Sequence, residues 1–408
     1  MKAKSKRPAH KWQFPTRIRP HAFSWRSSRV AVQRIKEALG EIQSVARHDA
    51  LRAAEGAVRL IERLSPALEH VDSSTGALGS AVNGAIESLV PLIAAAPATS
   101  NVREKWLDRL YEAHKADGVP YIEMLTDYWG DLCVTKQLAS AWADRLLEIT
   151  RLALSPDKSL RGHYHGITAC LDALLRAERY AELYDVLEAE KFWSYKRWIV
   201  KALAAEGKAD EAINVAESSR GPWTNDTDVD RLCESILLSL GRTEEAYRRY
   251  GLYAHRAGTY LATFRAIAKI YPSVPREKIL LDLIDTTPGE QGNWFATAKE
   301  LGLYDVALKL VRESPCDPKT LARAARDFAE REPAFAHGAG CAALYWLTLG
   351  HGYEITSIDV WGAYQSTLKA AARLGNSSDT KTRIRQLVSQ EAAGGFVRQI
   401  LGRELALT

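Results

Sequence analysis

Apolar residues recur at helical spacing along most of the chain, and no alternating pattern is long enough to predict a strand. The clearest feature is a repeated signature in which one helical pattern ends at glycine and another begins within a few residues. It occupies residues 207–212, 241–246 and 302–307, each starting with Gly and ending with Ala, with a weaker copy at 178–183. Glycine tolerates the left-handed conformation that ends a helix, and alanine lets two helices approach closely. The signature therefore predicts antiparallel helix pairs.

The spacing of these signatures predicts that the pairs are stacked. Gly207 and Gly241 lie 34 residues apart, and Gly302 follows after 61, about two units. A single pair cannot bury its apolar faces alone, so such units pack on one another. The apolar pattern predicts pairs at 160–177 with 181–190, 193–206 with 209–219, 228–240 with 244–253, 260–271 with 276–284, 290–301 with 304–313, and 320–330 with 334–349. We expect an all-α fold, a right-handed α-solenoid of stacked antiparallel helix pairs.

The regions on either side of the pairs are also helical by their apolar pattern. Upstream helices are predicted to begin at Ser27 or Ser28 and then to cover 50–64, 72–97, 101–116, 121–132 and 137–154. Downstream, helices at 358–374 and 380–405 are predicted to cap the open end of the solenoid. We divide the chain into an arm (1–26), a helical N-terminal region (27–155), repeats (156–350) and capping helices (351–408). The boundary at 155–159 would look the same if it were a turn inside one solenoid.

The Gly-to-Ala spacing and the unit near 34 residues resemble tetratricopeptide repeats over residues 160–350. The first helices lack most of that family's Trp, Leu, small and aromatic positions. The same segment, with residues 316–328 and 352–355, also resembles an uncharacterised bacterial family of helical-repeat proteins. The resemblance implies the solenoid fold and a bacterial origin, and it brings no known activity.

Composition narrows the class of protein. The 408 residues are 46% hydrophobic and 26% charged, which is ordinary for a soluble globular protein. The longest apolar run, residues 89–98, is too short to span a bilayer, and no secretory signal is predicted. Five scattered cysteines predict buried thiols in a reducing compartment: Cys133, Cys170, Cys233, Cys316 and Cys341. We expect a cytoplasmic protein without a membrane segment.

Charge is distributed unevenly, because residues 1–36 hold eleven Lys or Arg and no acid, whereas the remainder holds 44 basic and 50 acidic residues. Three prolines predict that residues 1–22 are extended or disordered. Basic residues interleaved with aromatic ones suit phosphate contact and base stacking. The alternatives are a solvated tail and a strap docked on the protein's own helices. The candidate nucleic-acid residues are Lys4, Lys6, Arg7, Lys11, Trp12, Arg17, Arg19, Trp25 and Arg26.

An arginine ladder, consisting of Arg197, Arg231 and Arg265, repeats every 34 residues, ten positions before each unit's turn. Equivalent positions on successive first helices line one face of a solenoid, usually the concave one. Lys201 and Lys269 extend two members by one turn. Such a face could hold an acidic peptide or a phosphate backbone. The alternative is that each arginine pairs with a neighbouring acid.

No catalytic or metal motif is recognisable, and no cofactor is predicted. His163 and His165 are two apart, which is not the spacing at which a helix offers two ligands to zinc, so a structural role is favoured. An enzymatic interpretation would need a deep pocket around them with converging carboxylates. Trp223 stands in a polar loop, where an exposed aromatic side chain would indicate a partner contact.

The leading hypothesis is a non-enzymatic scaffold that binds a protein segment on its concave face. The predicted binding residues are Arg197, Lys201, Arg231, Arg265, Lys269 and Trp223. The second hypothesis is nucleic-acid binding through the basic arm, with the arginine ladder as a further contact. The identity of the partner and the oligomeric state are left open by the sequence.

Overall fold

The computed structural model describes residues 10–157, 159–392 and 394–407. Within these ranges the secondary structure is helical and no strand is present, so the predicted all-α class is confirmed. The chain divides into two compact units, one ending at Thr224 and the other beginning at Asn225. The boundary predicted at 155–159 therefore lies inside the first unit.

The first unit contains eleven α-helices in its described part, and a 3₁₀ segment, Glu123–Tyr128, precedes the sixth. They are α1 Phe14–Arg17, α2 Ser28–Ala46, α3 Ala50–Leu68, α4 Ala77–Ala95, α5 Ser100–Lys115, α6 Trp129–Cys133, α7 Lys136–Ala153, α8 Ile167–Arg176, α9 Tyr180–Leu187, α10 Trp193–Ala205 and α11 Ala209–Ser218. The single helix predicted at 121–132 is thus a 3₁₀ segment followed by the short α6.

Helices α2, α3 and α4 pack against one another and bury much of the apolar surface near the N-terminus. The helix predicted at 50–64 is longer in the structure, because α3 continues through Pro66 to Leu68. Proline lacks an N–H and so removes one hydrogen bond, but Ala67 and Leu68 behind it are buried. The burial of these two side chains offsets the missing hydrogen bond, and the helix extends four residues beyond its predicted end.

Helix α4 is the one helix of the described residues that is long and apolar enough to cross a membrane by length and composition. A core helix passes the same test, and α4 packs against α2 and α3 through buried residues such as Leu78, Ile86 and Ile93. It begins at Ala77, five residues later than predicted.

The described part of the arm is not extended throughout, which corrects the prediction for residues 1–22. Phe14–Arg17 form α1, and the carboxylate of Glu41 accepts hydrogen bonds from the backbone N–H groups of Gln13 and Phe14, at 2.8 and 3.1 Å. Phe14 and Ile18 are buried in the core. Burial of these two side chains stabilises the folded arm by more than its prolines disfavour a helix there. Residues 10–26 therefore form a strap across the first unit.

The second unit contains helices α12 to α22 in its described part. They are α12 Asp226–Ser239, α13 Thr243–Ala246, α14 Tyr260–Ile270, α15 Arg276–Asp285, α16 Phe295–Glu300, α17 Tyr304–Glu313, α18 Pro318–Phe328, α19 Pro333–Thr348, α20 Ser357–Arg373, α21 Ser377–Ser389 and α22 Phe396–Leu401. A π-helical turn, Tyr247–Gly251, continues α13, and a 3₁₀ turn, Gln291–Trp294, precedes α16.

The predicted turn glycines all adopt the left-handed conformation. Gly207, Gly241 and Gly302 have φ of 80°, 73° and 74°, and Glu178 of the weaker copy has φ of 59°. The alanines five positions after these glycines are fully buried. The helices on either side of each glycine pack together, as α10 with α11, α12 with α13 and α16 with α17. The signature thus marks helix–turn–helix pairs, as predicted.

The final predicted helix, 380–405, is wrong, because α21 and α22 are separate. Gly394 and Gly395 stand between them, and glycine is poor in a helix interior. The carboxylate of Glu391 then accepts hydrogen bonds from the N–H groups of Val397 and Arg398, at 3.3 and 2.7 Å, which fixes the start of α22. Of the five cysteines, four are buried and Cys341 is partly buried, and all five are free thiols.

Candidate functional site

Arg197, on α10 of the first unit, is held by an acid of the same unit. Its Nη2 donates to Asp127 Oδ1 at 2.5 Å and its Nη1 donates to Oδ2 at 3.3 Å. Its Nε donates to the carbonyl of Ser194 at 3.0 Å, and the guanidinium carbon lies 5.3 Å from the centroid of the buried Trp198 ring. Both edges of the guanidinium therefore bond within the unit.

Lys201, one turn further along α10, is only partly exposed, and its Nζ lies 3.8 Å from the centroid of the Trp198 ring. Burial lowers the pKa of Lys201, and the nearby carboxyl of Asp172 acts in the opposite direction. Asp172 is itself buried and accepts the N–H of Gly130 at 2.6 Å, and burial raises its pKa to about 7. Arg197 and Lys201 thus lie in a polar network inside the first unit.

Arg231, on α12 of the second unit, is exposed but not free of internal contacts. Its Nε donates to the carbonyl of Ala254 at 2.7 Å. Its Nη1 lies 3.9 Å from Asp228 Oδ1 on the same helix, at the outer limit of an ion pair. An exposed pair of this kind contributes little to stability. One edge of the guanidinium is therefore engaged and the other is accessible.

The two predicted cations of α14 are exposed. Arg265 donates from Nε to Glu300 Oε1 at 3.1 Å and from Nη2 to Oε2. Arg276, the first residue of α15, places its Nη2 3.7 Å from Oε1 of the same Glu300. Lys269 is exposed one turn after Arg265, and no carboxylate of the described chain pairs with it. Two arginines thus share one acid, and an exposed lysine lies one turn after the first of them. We call Arg265, Lys269 and Arg276 the α14 basic cluster.

Trp223 lies in the loop between α11 and α12 and is 92% exposed. Hydrogen bonds within the loop fix its turn: Thr224 donates from its N–H to the Gly221 carbonyl at 3.0 Å and from Oγ1 to the Ser219 carbonyl at 2.7 Å. A large apolar ring that projects into solvent from a hydrogen-bonded turn is available for contact with a partner.

The predicted nucleic-acid residues are distributed unevenly. Lys4, Lys6 and Arg7 lie outside the described residues. Trp12 packs against Gly56 of α3, which has no room for a Cβ beside the indole ring. A ring in this position is not available to stack on a base.

The other aromatic rings of the arm also pack inward, except Trp25. Phe14 and Phe23 are buried, whereas Trp25 is 65% exposed. The described basic residues remain exposed, and Arg17 pairs with Glu37 at 3.0 Å. Among the described residues of the arm, Lys11, Arg19, Trp25 and Arg26 are exposed and available for base contact, which stays a prediction.

His163 and His165 line a cavity of about 280 Å³ in the first unit, with Asp117 and Glu123 among the other lining residues. The enzymatic interpretation required carboxylates around these two histidines, and the cavity provides them. Asp117 is engaged, because its Oδ2 accepts the N–H of Ile122 at 2.8 Å and its Oδ1 accepts the hydroxyl of Ser65. Among the described lining residues, no histidine is hydrogen-bonded to a carboxylate, which is the pairing that an activated base needs.

A third histidine, the buried His114, lies beside this cavity. Its Nε2 donates to the carbonyl of His165 at 2.9 Å, which leaves Nδ1 as an acceptor, and no described group donates to it. Burial lowers the pKa of His114, which favours the neutral form of the ring. His114 is therefore a buried lining residue of the cavity whose hydrogen bond holds the backbone of His165 in place.

Sequence reasoning missed the acids and the cation that decide these environments. Asp127 pairs with an arginine 70 residues later, and Glu300 pairs with one 35 residues earlier. No local spacing marks such partners. Arg276 could have been predicted from the sequence, because it begins the predicted helix 276–284 that pairs with the helix carrying Arg265.

Together these observations define an all-α protein that carries an exposed basic cluster, an exposed tryptophan and a small histidine-lined cavity. In comparisons with known proteins, no protein-family model and no curated protein matches the chain.

Proposed function

We propose that this chain is a non-enzymatic helical-repeat scaffold whose second unit binds an acidic segment of a partner protein through the α14 basic cluster. The observation that carries the proposal is the sharing of one carboxylate, Glu300, by two arginines, with Lys269 one turn away and paired with no acid of the described chain. Three positive charges against one negative charge leave a surplus that an acidic ligand would neutralise.

The repeat part of the proposal is supported by the recurring turns. Helices α14 and α15, α16 and α17, and α18 and α19 pack as consecutive pairs, and α17 also packs on α19. A right-handed solenoid would place equivalent positions of successive first helices on one face. Arg231 and Arg265 are such positions in the second unit, so both belong to the proposed surface.

Arginine suits this role because its planar fork can bond one carboxylate and then exchange it for another with the same geometry. Glu300 occupies the fork of Arg265 in the free chain. A ligand carboxylate would add to the cluster at Lys269 and Arg276, where positive charge is least compensated. We therefore expect a segment rich in Glu and Asp, bound with strong salt dependence.

The test uses a fluorescein-labelled peptide rich in Glu and Asp and a counterpart of equal length with Gln and Asn, followed by fluorescence anisotropy. The variant is Arg265→Glu/Lys269→Glu. The matched control is Lys309→Glu/Arg312→Glu, which reverses two exposed cations on α17 of the same unit. Both double variants change the net charge equally, so a difference between them reports position and not overall charge.

We expect the acidic peptide to bind the unaltered chain and the α17 control alike, and the α14 variant at least about tenfold more weakly. If peptide affinity fell equally in both double variants, net charge and not the α14 basic cluster would account for binding, and the proposal would be overturned. Peptide binding unaffected by the α14 variant, or equal binding of the Gln and Asn peptide, would overturn the proposal. Binding of mixed-sequence RNA that survives the α14 variant would favour the nucleic-acid alternative through the arm.

A further inference from the structure

Two histidines and a glutamate meet where the N-terminal strap crosses the end of α3. One potential ligand atom from each of His21, Glu69 and His70 lies within 4.8 Å of the others. The rings of His21 and His70 are nearly parallel, with centroids 5.2 Å apart and an angle of 15° between their planes. All three side chains are exposed and can adjust.

The backbone around this group is fixed on both sides. The N–H of His21 donates to the carbonyl of Pro66, at 3.1 Å, in the last turn of α3. The N–H of Asp72 donates to the carbonyl of Trp25 at 3.0 Å. The two hydrogen bonds join the strap to the end of α3 and the segment after it, so the backbone positions of the three residues are fixed before any ligand arrives. Such prior positioning lowers the entropy lost on binding.

The chemistry of the three groups favours a transition-metal ion. Imidazole nitrogen and carboxylate oxygen are the ligands that Zn²⁺ takes in many proteins, whereas Mg²⁺ and Ca²⁺ prefer oxygen alone. A tetrahedral ion with bonds of about 2 Å brings its ligand atoms to about 3.3 Å from one another. The ligand atoms, which lie within 4.8 Å of one another, therefore need to approach by at most about 1.5 Å, which rotation of exposed side chains provides.

The position of the group also favours a cation. The last carbonyl groups of a helix carry partial negative charge, and Glu69 and His70 follow α3 directly. The 19 residues of α3 give a long helix whose dipole ends at this point.

We propose that His21, Glu69 and His70 bind one Zn²⁺ ion, with water as the fourth ligand, and that the ion clasps the strap to the end of α3. This site is independent of the α14 basic cluster, since it lies in the other unit. Its structural consequence is that metal binding stabilises the strap, which carries the exposed residues Arg19, Trp25 and Arg26.

The experiment uses the full-length chain without a histidine tag, first freed of metal with a chelator. Zn²⁺ is titrated by calorimetry, and Co²⁺ is used as a probe whose visible absorption reports tetrahedral coordination. The variants are His21→Asn, His70→Asn and Glu69→Gln. Asparagine is chosen because His21 has φ of 56°, a left-handed conformation that asparagine tolerates better than alanine does. The matched control is His48→Asn, which alters an exposed histidine just before the opposite end of α3.

We expect one Zn²⁺ per chain, and binding weakened by more than about tenfold in His21→Asn and in His70→Asn, which is the lower end of the loss seen for residues that only orient a metal ligand. The His48→Asn control should bind like the unaltered chain. Thermal melts in chelator should be equal for all variants, which would show that each folds.

Limited trypsin digestion tests the clasp itself. Zn²⁺ should slow cleavage after Arg17 and Arg26 in the unaltered chain and have no such effect in His21→Asn. The proposal is overturned if the untagged chain binds no Zn²⁺, if the loss occurs in His48→Asn instead, or if both histidine variants retain full binding. Zinc binding without any slowing of cleavage would overturn the clasp.

Discussion

Helix α10 of the first unit and helix α14 of the second unit each carry an arginine followed four residues later by a lysine. In α10 both cations are partly buried, since Arg197 forms an ion pair with Asp127 and the ammonium group of Lys201 lies over the ring of Trp198. In α14 the pair is exposed, and Arg265 shares its acid, Glu300, with Arg276. The same spacing therefore gives an internal polar network in one unit and a basic surface in the other.

The residue after each arginine accounts for much of the difference. In α10 it is Trp198, whose buried ring contacts both cations, and in α14 it is Ala266, which is too small to reach either. An aromatic face attracts a cation most strongly where water is excluded. Trp198 thus draws its neighbours onto the unit, whereas the cations beside Ala266 remain in solvent. Substitutions in the two units test this contrast, beginning with the largest expected effect.

Trp198→Ala should lower the free energy of unfolding by about 3–5 kcal/mol, because it removes a fully buried indole and leaves a cavity under two cations. Urea unfolding followed by circular dichroism measures the change. The counterpart Ala266→Ser should cost less than about 1 kcal/mol, since its site is only partly buried. If the two variants lost similar free energy of unfolding, the residue after the arginine would not explain the difference between α10 and α14.

The buried Asp172 should make stability depend on pH in the first unit. Its pKa in the folded chain, about 7, lies above the ordinary 3.8, so the folded state favours the protonated carboxyl. The contribution to stability is complete below about pH 4 and is lost as the pH rises through 7, by up to about 4 kcal/mol.

Asp172→Asn should remove that part of the pH dependence, because asparagine can still accept the N–H of Gly130 and does not ionise. Urea unfolding at several pH values between 4 and 8 measures the difference from the unaltered chain. Glu300→Gln in the second unit serves as the control and should leave the slope unchanged. A slope that persists in Asp172→Asn would assign the pH dependence to other groups.

Removal of the acid that pairs with each arginine should affect stability in α10 and peptide binding in α14. Asp127→Ala should cost about 1.5–3 kcal/mol, because it leaves the partly buried guanidinium of Arg197 without its carboxylate. Glu300→Ala should leave the midpoint of unfolding unchanged and strengthen acidic-peptide binding, since it frees two exposed arginines. Weaker peptide binding in Glu300→Ala would show that Glu300 orients the cluster for its ligand.

Trp223→Ala should have the smallest effect on folding, less than about 0.5 kcal/mol, because its ring is 92% exposed. It should also remove the component of tryptophan fluorescence that acrylamide quenches most readily, while the buried Trp198 component remains. A clear fall in the unfolding midpoint would mean that the ring packs on the protein and is not free for a partner.

Much of the secondary structure could be predicted because it depends on neighbours in the sequence. Gly207, Gly241 and Gly302 end helices because the turn needs a left-handed residue, and the alanines five positions later are buried in the second helix of each pair. The errors fall where distant contacts prevail over local preference. Helix α1 in the strap is stabilised because Glu41 accepts a hydrogen bond at its N-terminus and because Phe14 and Ile18 are buried in the core.

The candidate site was predictable only as a set of positions. The 34-residue spacing located Arg197, Arg231 and Arg265, and the loop composition located Trp223. Which of these side chains is available to a partner depends on acids far away in the chain, and the spacing contains no information about them. The same holds for the metal-site proposal, whose histidines are 49 residues apart in the sequence.

The sequence by itself determined that the chain is helical, where most helices pair, and which repeated positions carry positive charge, because helix periodicity and turn chemistry are local. Only the tertiary structure decided which cations are covered and which are exposed, since burial and ion pairing depend on residues brought together by folding. Arg197 and Arg265 are equivalent by spacing. Asp127 and Trp198 hold Arg197 partly buried against the first unit, whereas Arg265, which shares Glu300 with Arg276, stays at the surface of the second unit.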